Sequence, residues 1–237
     1  MNCSSLARPC RLGAAGLLLT LAGGCGALFP TTTTPQPSFY SLDHVRGAAQ
    51  ASPPAAIRPT VPAAAPTLII NPPHAAAGFD SSRIIYVRET HKLEYFSHNE
   101  WVDTPARMLA PLIVAAVENR GTFRAVVLTP SAAAGDLKLD TEIVRLQHDF
   151  GSQPSRVRFT LRAYIVDNTT RRVLASREFD ETVAAASKDP YGGVVAANRA
   201  VQAVLEHLAS FCATAAGNWQ PPAAEIPKRA ERSRLGR

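Results

Sequence analysis

Aromatic residues make up only 7% of this 237-residue chain, charged residues only 19%, and cysteine occurs just four times. No basic face interleaved with stacking aromatics can be assembled from that supply, so nucleic-acid binding finds no support. The cysteines and histidines show neither zinc-finger spacing nor a helical His-Glu-x-x-His. Also missing are a Gly-x-Ser-x-Gly elbow, a Ser-x-x-Lys after residue 25, a glycine-rich phosphate loop and a dinucleotide fingerprint. No apolar run reaches the roughly 20 residues a transmembrane helix needs, and no repeat of 20–50 residues recurs. What the chain does have is 19 prolines gathered into a few clusters, and a net charge of +6.

The first cluster of information is at the N-terminus. Arg8 and Arg11 precede an apolar stretch over 12–21, and Ala22, Gly23 and Gly24 lead to Cys25. A basic segment, a short apolar core and small residues are the layout of a secretory signal. The run Leu21-Ala22-Gly23-Gly24-Cys25 resembles a bacterial lipoprotein signal, shifted by one residue from the commonest pattern because Ala22, not Leu21, stands three places before the cysteine. Cleavage between Gly24 and Cys25, followed by acylation of Cys25, is expected; the alternative is an ordinary secretory cleavage site near an incidental cysteine. Two or more acyl chains hold a protein stably on a bilayer, where one does not. Gly26 follows in place of the aspartate that retains lipoproteins in the inner membrane, which points to the periplasmic face of the outer membrane of a Gram-negative cell. Removal of residues 1–24 takes Cys3, Cys10 and two arginines with it. Cys212 is then left without an intramolecular partner, and its place in an apolar helical stripe makes it a packed thiol.

The remaining chain divides into a tether (25–38), a domain (39–217) carrying a Pro/Ala-rich insert (48–66), and a basic tail (218–237). The tail's five basic residues outnumber its two acidic ones, so the domain itself is nearly neutral. Phe39-Tyr40-Ser41-Leu42 and residues 67–71 are strand candidates. Residues 84–88 and 92–96 flank the turn Glu89-Thr90-His91 as a hairpin. Thr104 caps a helix with Pro105 at its first position, and apolar residues from Met108 to Val117 recur at helical spacing up to Gly121. Strand 67–71, this helix and strand 123–128 form a split or direct β-α-β unit. Strict alternation over 156–165 marks a half-buried antiparallel strand. In the preceding strand the apolar phase slips near Ile143, the signature of a bulge, and 173–183 completes a meander. A last helix over 191–215 lines up Val194, Val201, Val204, Leu205, Leu208 and Cys212.

Few residues ask for chemistry. Arg156, Arg158 and Arg162 share a strand face, but Lys138, Asp140, Glu142, Glu178 and Asp180 fall opposite them, so cross-strand ion pairing accounts for the charge. His91, Glu94, His98 and Glu100 do not share one face in a way that builds a metal site, and no metal is expected. Gly192-Gly193 opens the last helix; a helix start can bind an anion, but a turn is the simpler use. Tyr95, Phe96 and Trp101 are the densest aromatic group and the candidate partner-contact patch, since aromatics are enriched at interface cores; core packing is the competing explanation.

The order and spacing of these features resemble the ABC-type transport auxiliary lipoprotein family, the paraquat-inducible protein C-like components of MCE intermembrane lipid transport. The resemblance runs from the lipoprotein cysteine and Phe39-Tyr40-Ser41-Leu42 through the hairpin, Trp101, the helix at 105–119, Gly121-Thr122-Phe123-Arg124-Ala125-Val126 and the meander to the alanine-rich last helix. It implies an α+β fold, a mainly antiparallel sheet with two helices packed on one face. It implies no catalytic residue and no cofactor. The implied role is docking to an MCE-domain substrate-binding protein and its ABC permease and ATPase, with the membrane reached through lipidated Cys25 and homo-oligomer formation as an option. An envelope structural or assembly lipoprotein and a periplasmic lipid-binding module are the competing roles.

Overall fold

The computed structural model describes residues 36–43 and 64–221. Gly24, Cys25, most of the tether, nearly all of the Pro/Ala-rich insert and the basic part of the tail lie outside the described residues.

The longest strand organises the rest. β7 (Leu137–Asp149) buries Leu137, Leu139 and Ile143 on one face, and a register shift between Ile143 and Arg145 brings Leu146 and His148 onto that same face. The expected bulge is therefore present, and it keeps a 13-residue strand facing one core. One edge of β7 pairs antiparallel along its length with β8 (Arg156–Asp167), which pairs antiparallel with β9 (Val173–Ala184). The other edge takes three short strands in succession, all parallel: β2 (Thr67–Ile70), β3 (His74–Ala75) and β4 (Arg83–Val87). Outside β2 lies β6 (Ala125–Leu128), parallel; outside β4 lies β5 (Glu94–Trp101), antiparallel; and β1 (Ser38–Tyr40) runs parallel along β5 as an edge.

Most of the pairing in the nine-stranded sheet is antiparallel, along β7–β8–β9 and β4–β5, but the sheet is mixed, since β1, β2, β3 and β6 pair parallel and β4 runs parallel to β7. Alternation identifies the meander, but β2, buried throughout, and the short β3 and β4 carry no alternation from which direction could be read. The α+β class holds, and β2 and β6 are parallel neighbours as the β-α-β reading expects, although β3, β4 and β5 as well as α1 lie between them in the chain.

Both helices contribute to the same core. α1 (Pro105–Asn119) buries Leu109, Leu112, Ile113 and Val117, and α2 (Pro190–Gly217) buries Val201, Val204, Leu205, Leu208 and Cys212. These side chains meet Phe159, Leu161, Ala163 and Ile165 of β8 in one cluster. Thr104 occupies the N-cap of α1 without a side-chain cap bond; instead Asp103 accepts from the Thr104 N–H at 2.7 Å. At the other end Gly121 takes φ +65°, the left-handed conformation that suits glycine just past a helix C-terminus. Pro111 sits inside α1 on its exposed side, where the backbone carbonyl that loses its N–H partner can turn to water.

The residues that follow β1 are tied to α2. Asn198 of α2 donates to the Ser41 carbonyl at 3.2 Å and accepts from the Asp43 N–H at 2.8 Å, while Leu42 is buried between sheet and helix.

The glycine pair at the start of α2 has a packing role. A Cβ on Gly193 would stand 2.5 Å from His148 Nδ1, and one on Gly192 would stand 2.4 Å from Ser187 Oγ and 2.6 Å from the Ser187 carbonyl oxygen. Only glycine lets α2 descend this close to β7. Gly193→Ala is accordingly expected to destabilise the fold by about 1–3 kcal/mol, as overpacking does. Gly217→Ala, where an added Cβ meets nothing within 4 Å, should be neutral or stabilising by up to about 1 kcal/mol. Thermal unfolding of the two variants beside the parent chain checks the contrast, and equal shifts would refute it.

Candidate docking surfaces

Tyr95, Phe96 and Trp101 all lie on β5 but do not form one surface. Trp101 is buried in the core. Phe96 is half-buried in an aromatic group at the end of the sheet, its ring 4.5 Å from Tyr86 and 6.4 Å from Phe150. Tyr95 points to the other side of the strand, exposed, with the Arg83 guanidinium 5.1 Å from its ring. Neighbouring strand positions face opposite ways, so sequence proximity placed together what the pleat separates. Tyr86 and Phe150 belong to the cluster and were not legible as members, because β4 and β7 become neighbours only through the parallel pairing of Tyr86 with His148.

The charged face of the meander is paired across strands at Arg158 and Arg162, whereas Lys138 pairs with Asp140 of its own strand and Arg156 is in no ion pair among the described residues. Arg158 holds Asp180 at 2.6 Å, and Arg162 bridges Glu142 at 3.0 Å and Glu178 at 2.9 Å. Arg158 keeps the Asp180 carboxyl below its ordinary range, helped by the Thr160 hydroxyl. These side chains remain well exposed, so water screens the pairs and each adds little to stability. They serve to satisfy the sheet's outer face.

His148 is the buried titratable group of interest. Its Nε2 lies 3.0 Å from Ser155 Oγ, its ring stacks 4.1 Å from Phe150, and its Nδ1, facing Gly193, has no hydrogen-bond partner. Burial lowers its pKa, opposed by Asp149 beside it and by Asp189 at the start of α2. Asp189 is already engaged as the N-cap of α2, accepting from the Gly192 N–H at 2.7 Å, and that bond holds its own pKa down. The helix start is consequently closed by a carboxylate of its own chain. Burial pushes the Cys212 thiol up to about 12, so it stays protonated and packs as a small apolar group.

Among the described residues no group of three or more His, Cys, Asp or Glu is placed to hold a metal ion, and no helix is long and apolar enough to cross a membrane. The cavities are open grooves, including one of ≈ 490 Å³ between α1 and α2 around Arg120, Gln202 and Ser210.

The model of the ABC-type transport auxiliary lipoprotein component matches residues 48–209. The chain belongs to this family. It is similar to the crystal structure of a Xanthomonas campestris protein, XCC0632, classed in the family DUF330: identity 25%, TM-score 0.60, with 66% of this chain and 89% of that one covered. A solved structure of an uncharacterised protein shares the fold at 10% identity and TM-score 0.58, covering 75% of this chain and 99% of that one. A search of the curated proteins finds no match. The family match begins at residue 48, where the Pro/Ala-rich insert begins, and so includes all of it, whereas β1 lies before its start.

The burial of His148 has a pH consequence for this lipoprotein-family domain. The unfolded imidazole takes its proton near pH 6.5, and the folded one only at lower pH. Between those values the unfolded state binds more protons, so stability falls as pH falls, by at most about 1.4 kcal/mol per unit. Melting temperatures from pH 7.5 to 5 should decline in the parent chain, and His148→Gln should flatten that slope whatever its own starting stability; an unchanged slope would remove His148 as the cause.

Proposed function

We propose that the protein is a periplasmic lipoprotein, anchored to the outer membrane through acylated Cys25, that serves an MCE-type intermembrane lipid transporter by docking rather than by catalysis. The observation that carries this reading is the family match over residues 48–209. Supporting it are the lipoprotein signal ending at Gly24 and Cys25, and a meander on which Arg158 and Arg162 are engaged by Asp180, Glu142 and Glu178 of the neighbouring strands. In this reading the signal is 1–24, the tether 25–38, the docking domain 39–217 and the tail 218–237. Its partners are the MCE-domain substrate-binding protein and the ABC permease and ATPase, and the transporter's ATPase supplies the energy. The open grooves favour this role over that of a lipid carrier, which needs an enclosed apolar cavity.

Affinity capture of the lipidated protein after crosslinking in the envelope should recover an MCE-domain protein. Repeated recovery of outer-membrane assembly factors in its place would transfer the protein to the envelope-assembly role. Replacing Cys25 by alanine should release it into the soluble periplasmic fraction, and persistent membrane association of that variant would overturn the anchor.

A further inference from the structure

Seven large hydrophobic side chains are well exposed among the described residues, and four of them, Phe39, Leu93, Tyr95 and Val102, belong to β1, β5 and the residues directly flanking β5. Phe39 is registered beside Glu100. The ladder continues one step past β5, where the Val102 N–H donates to the Tyr40 carbonyl at 2.8 Å. Two residues beyond Glu100, Val102 returns to the face that Phe39 occupies. Both are more than half exposed, Phe39 at 59% and Val102 at 58%. They lie on the outer face, away from Tyr40 and Trp101, which turn toward the core. Half-buried Glu100 beside them and Arg83 over Tyr95 give the stripe a polar margin.

The position of this stripe along the chain indicates what covers it. Ser38, the first residue of β1, is only thirteen residues on from Cys25. At about 3.3 Å per residue the start of β1 cannot lie more than about 43 Å from the acylated cysteine. A connection that short holds the stripe at a millimolar effective concentration relative to the bilayer. Two apolar side chains bind a free domain to lipid negligibly, but under that tethering a weak preference suffices. β1 is also only three residues long, a poor template for strand addition by another protein.

We infer that the β1–β5 edge rests on the lipid surface, with Phe39 and Val102 entering the headgroup region and Tyr95 at its margin. Aromatic side chains favour that depth. This inference rests on the anchor reading above. It sets the orientation of the domain, with β9, at the opposite edge of the sheet, turned away from the membrane and available to a partner.

The test uses the full lipidated chain in vesicles of phosphatidylethanolamine and phosphatidylglycerol, part of them with brominated acyl chains. Val102→Cys carries a nitrobenzoxadiazole label, and Val173→Cys, equally exposed at 60% but on β9, is the control. With Cys25 acylated and Cys212 buried, the introduced thiol is the one that reacts. Brominated lipid should quench the label at position 102 severalfold more than at 173. A label at Phe39→Cys should behave as at 102, and Phe39→Ser should weaken quenching at 102 without changing flotation. Flotation with equal quenching at 102 and 173 overturns the inference and leaves the anchor standing. Failure to float overturns the anchor and the inference together. Protection of position 102 without quenching, with crosslinking to a second copy, overturns it in favour of a protein interface.

Discussion

The structure depends on β7 being paired on both edges, continuously with β8 on one and in three short stretches on the other. Its backbone groups on one side are satisfied by β8, and on the other by β2, β3 and β4 in turn. A central strand paired this way leaves few backbone groups to water, which suits a strand that is covered on one face by helices. The bulge between Ile143 and Arg145 is part of the same constraint. Without it, the two-residue period would turn Leu146 and His148 to the charged face and open the core beneath α2.

That arrangement dictates how closely α2 must approach. Gly193 lies against the ring of His148, so the helix and the strand touch through backbone and imidazole rather than through two side chains. Further along, the layer thickens to admit Phe159, Leu205 and Leu208. The end of the sheet near Gly193 therefore combines tight packing with a buried imidazole whose pKa burial lowers, whereas the Cys212 end is inert. Asn198, one turn further into α2, ties down the residues after β1, so the position of the N-terminal edge strand is coupled to the same helix.

The proposed docking role directs attention to the surfaces of the domain. The outer face of the meander is neutralised by pairs such as Arg158–Asp180, the helix start at Asp189 is self-capped, and Cys212 is withdrawn from chemistry. What remains uncommitted is at the margins of the sheet: the β1–β5 edge beside the tether and the exposed start of β9 at Val173 and Leu174. A tethered domain with one edge toward lipid and the other toward solvent is suited to bridging a membrane and a partner.

Local pattern was enough for the elements. Alternation over 156–165, the phase slip at Ile143, the proline-started helix ending before Gly121 and the apolar stripe through Cys212 are each properties of a few consecutive residues. Backbone geometry converts such properties directly into strand, bulge and helix. The α+β class and the paired charges of the meander follow from the same periodicities. Strand direction in the parallel half could not be read that way, since β2, β3 and β4 acquire it from β7, more than 50 residues downstream. Nor could the separation of Tyr95 from Phe96, the companionship of Phe96 with Tyr86 and Phe150, or the reason for Gly192-Gly193. The sequence by itself determined the long strands of the meander and the two helices, and which face each of these turns inward. The tertiary structure alone decided which segments are neighbours, because pairing and close approach depend on the combined shape of elements far apart in the chain.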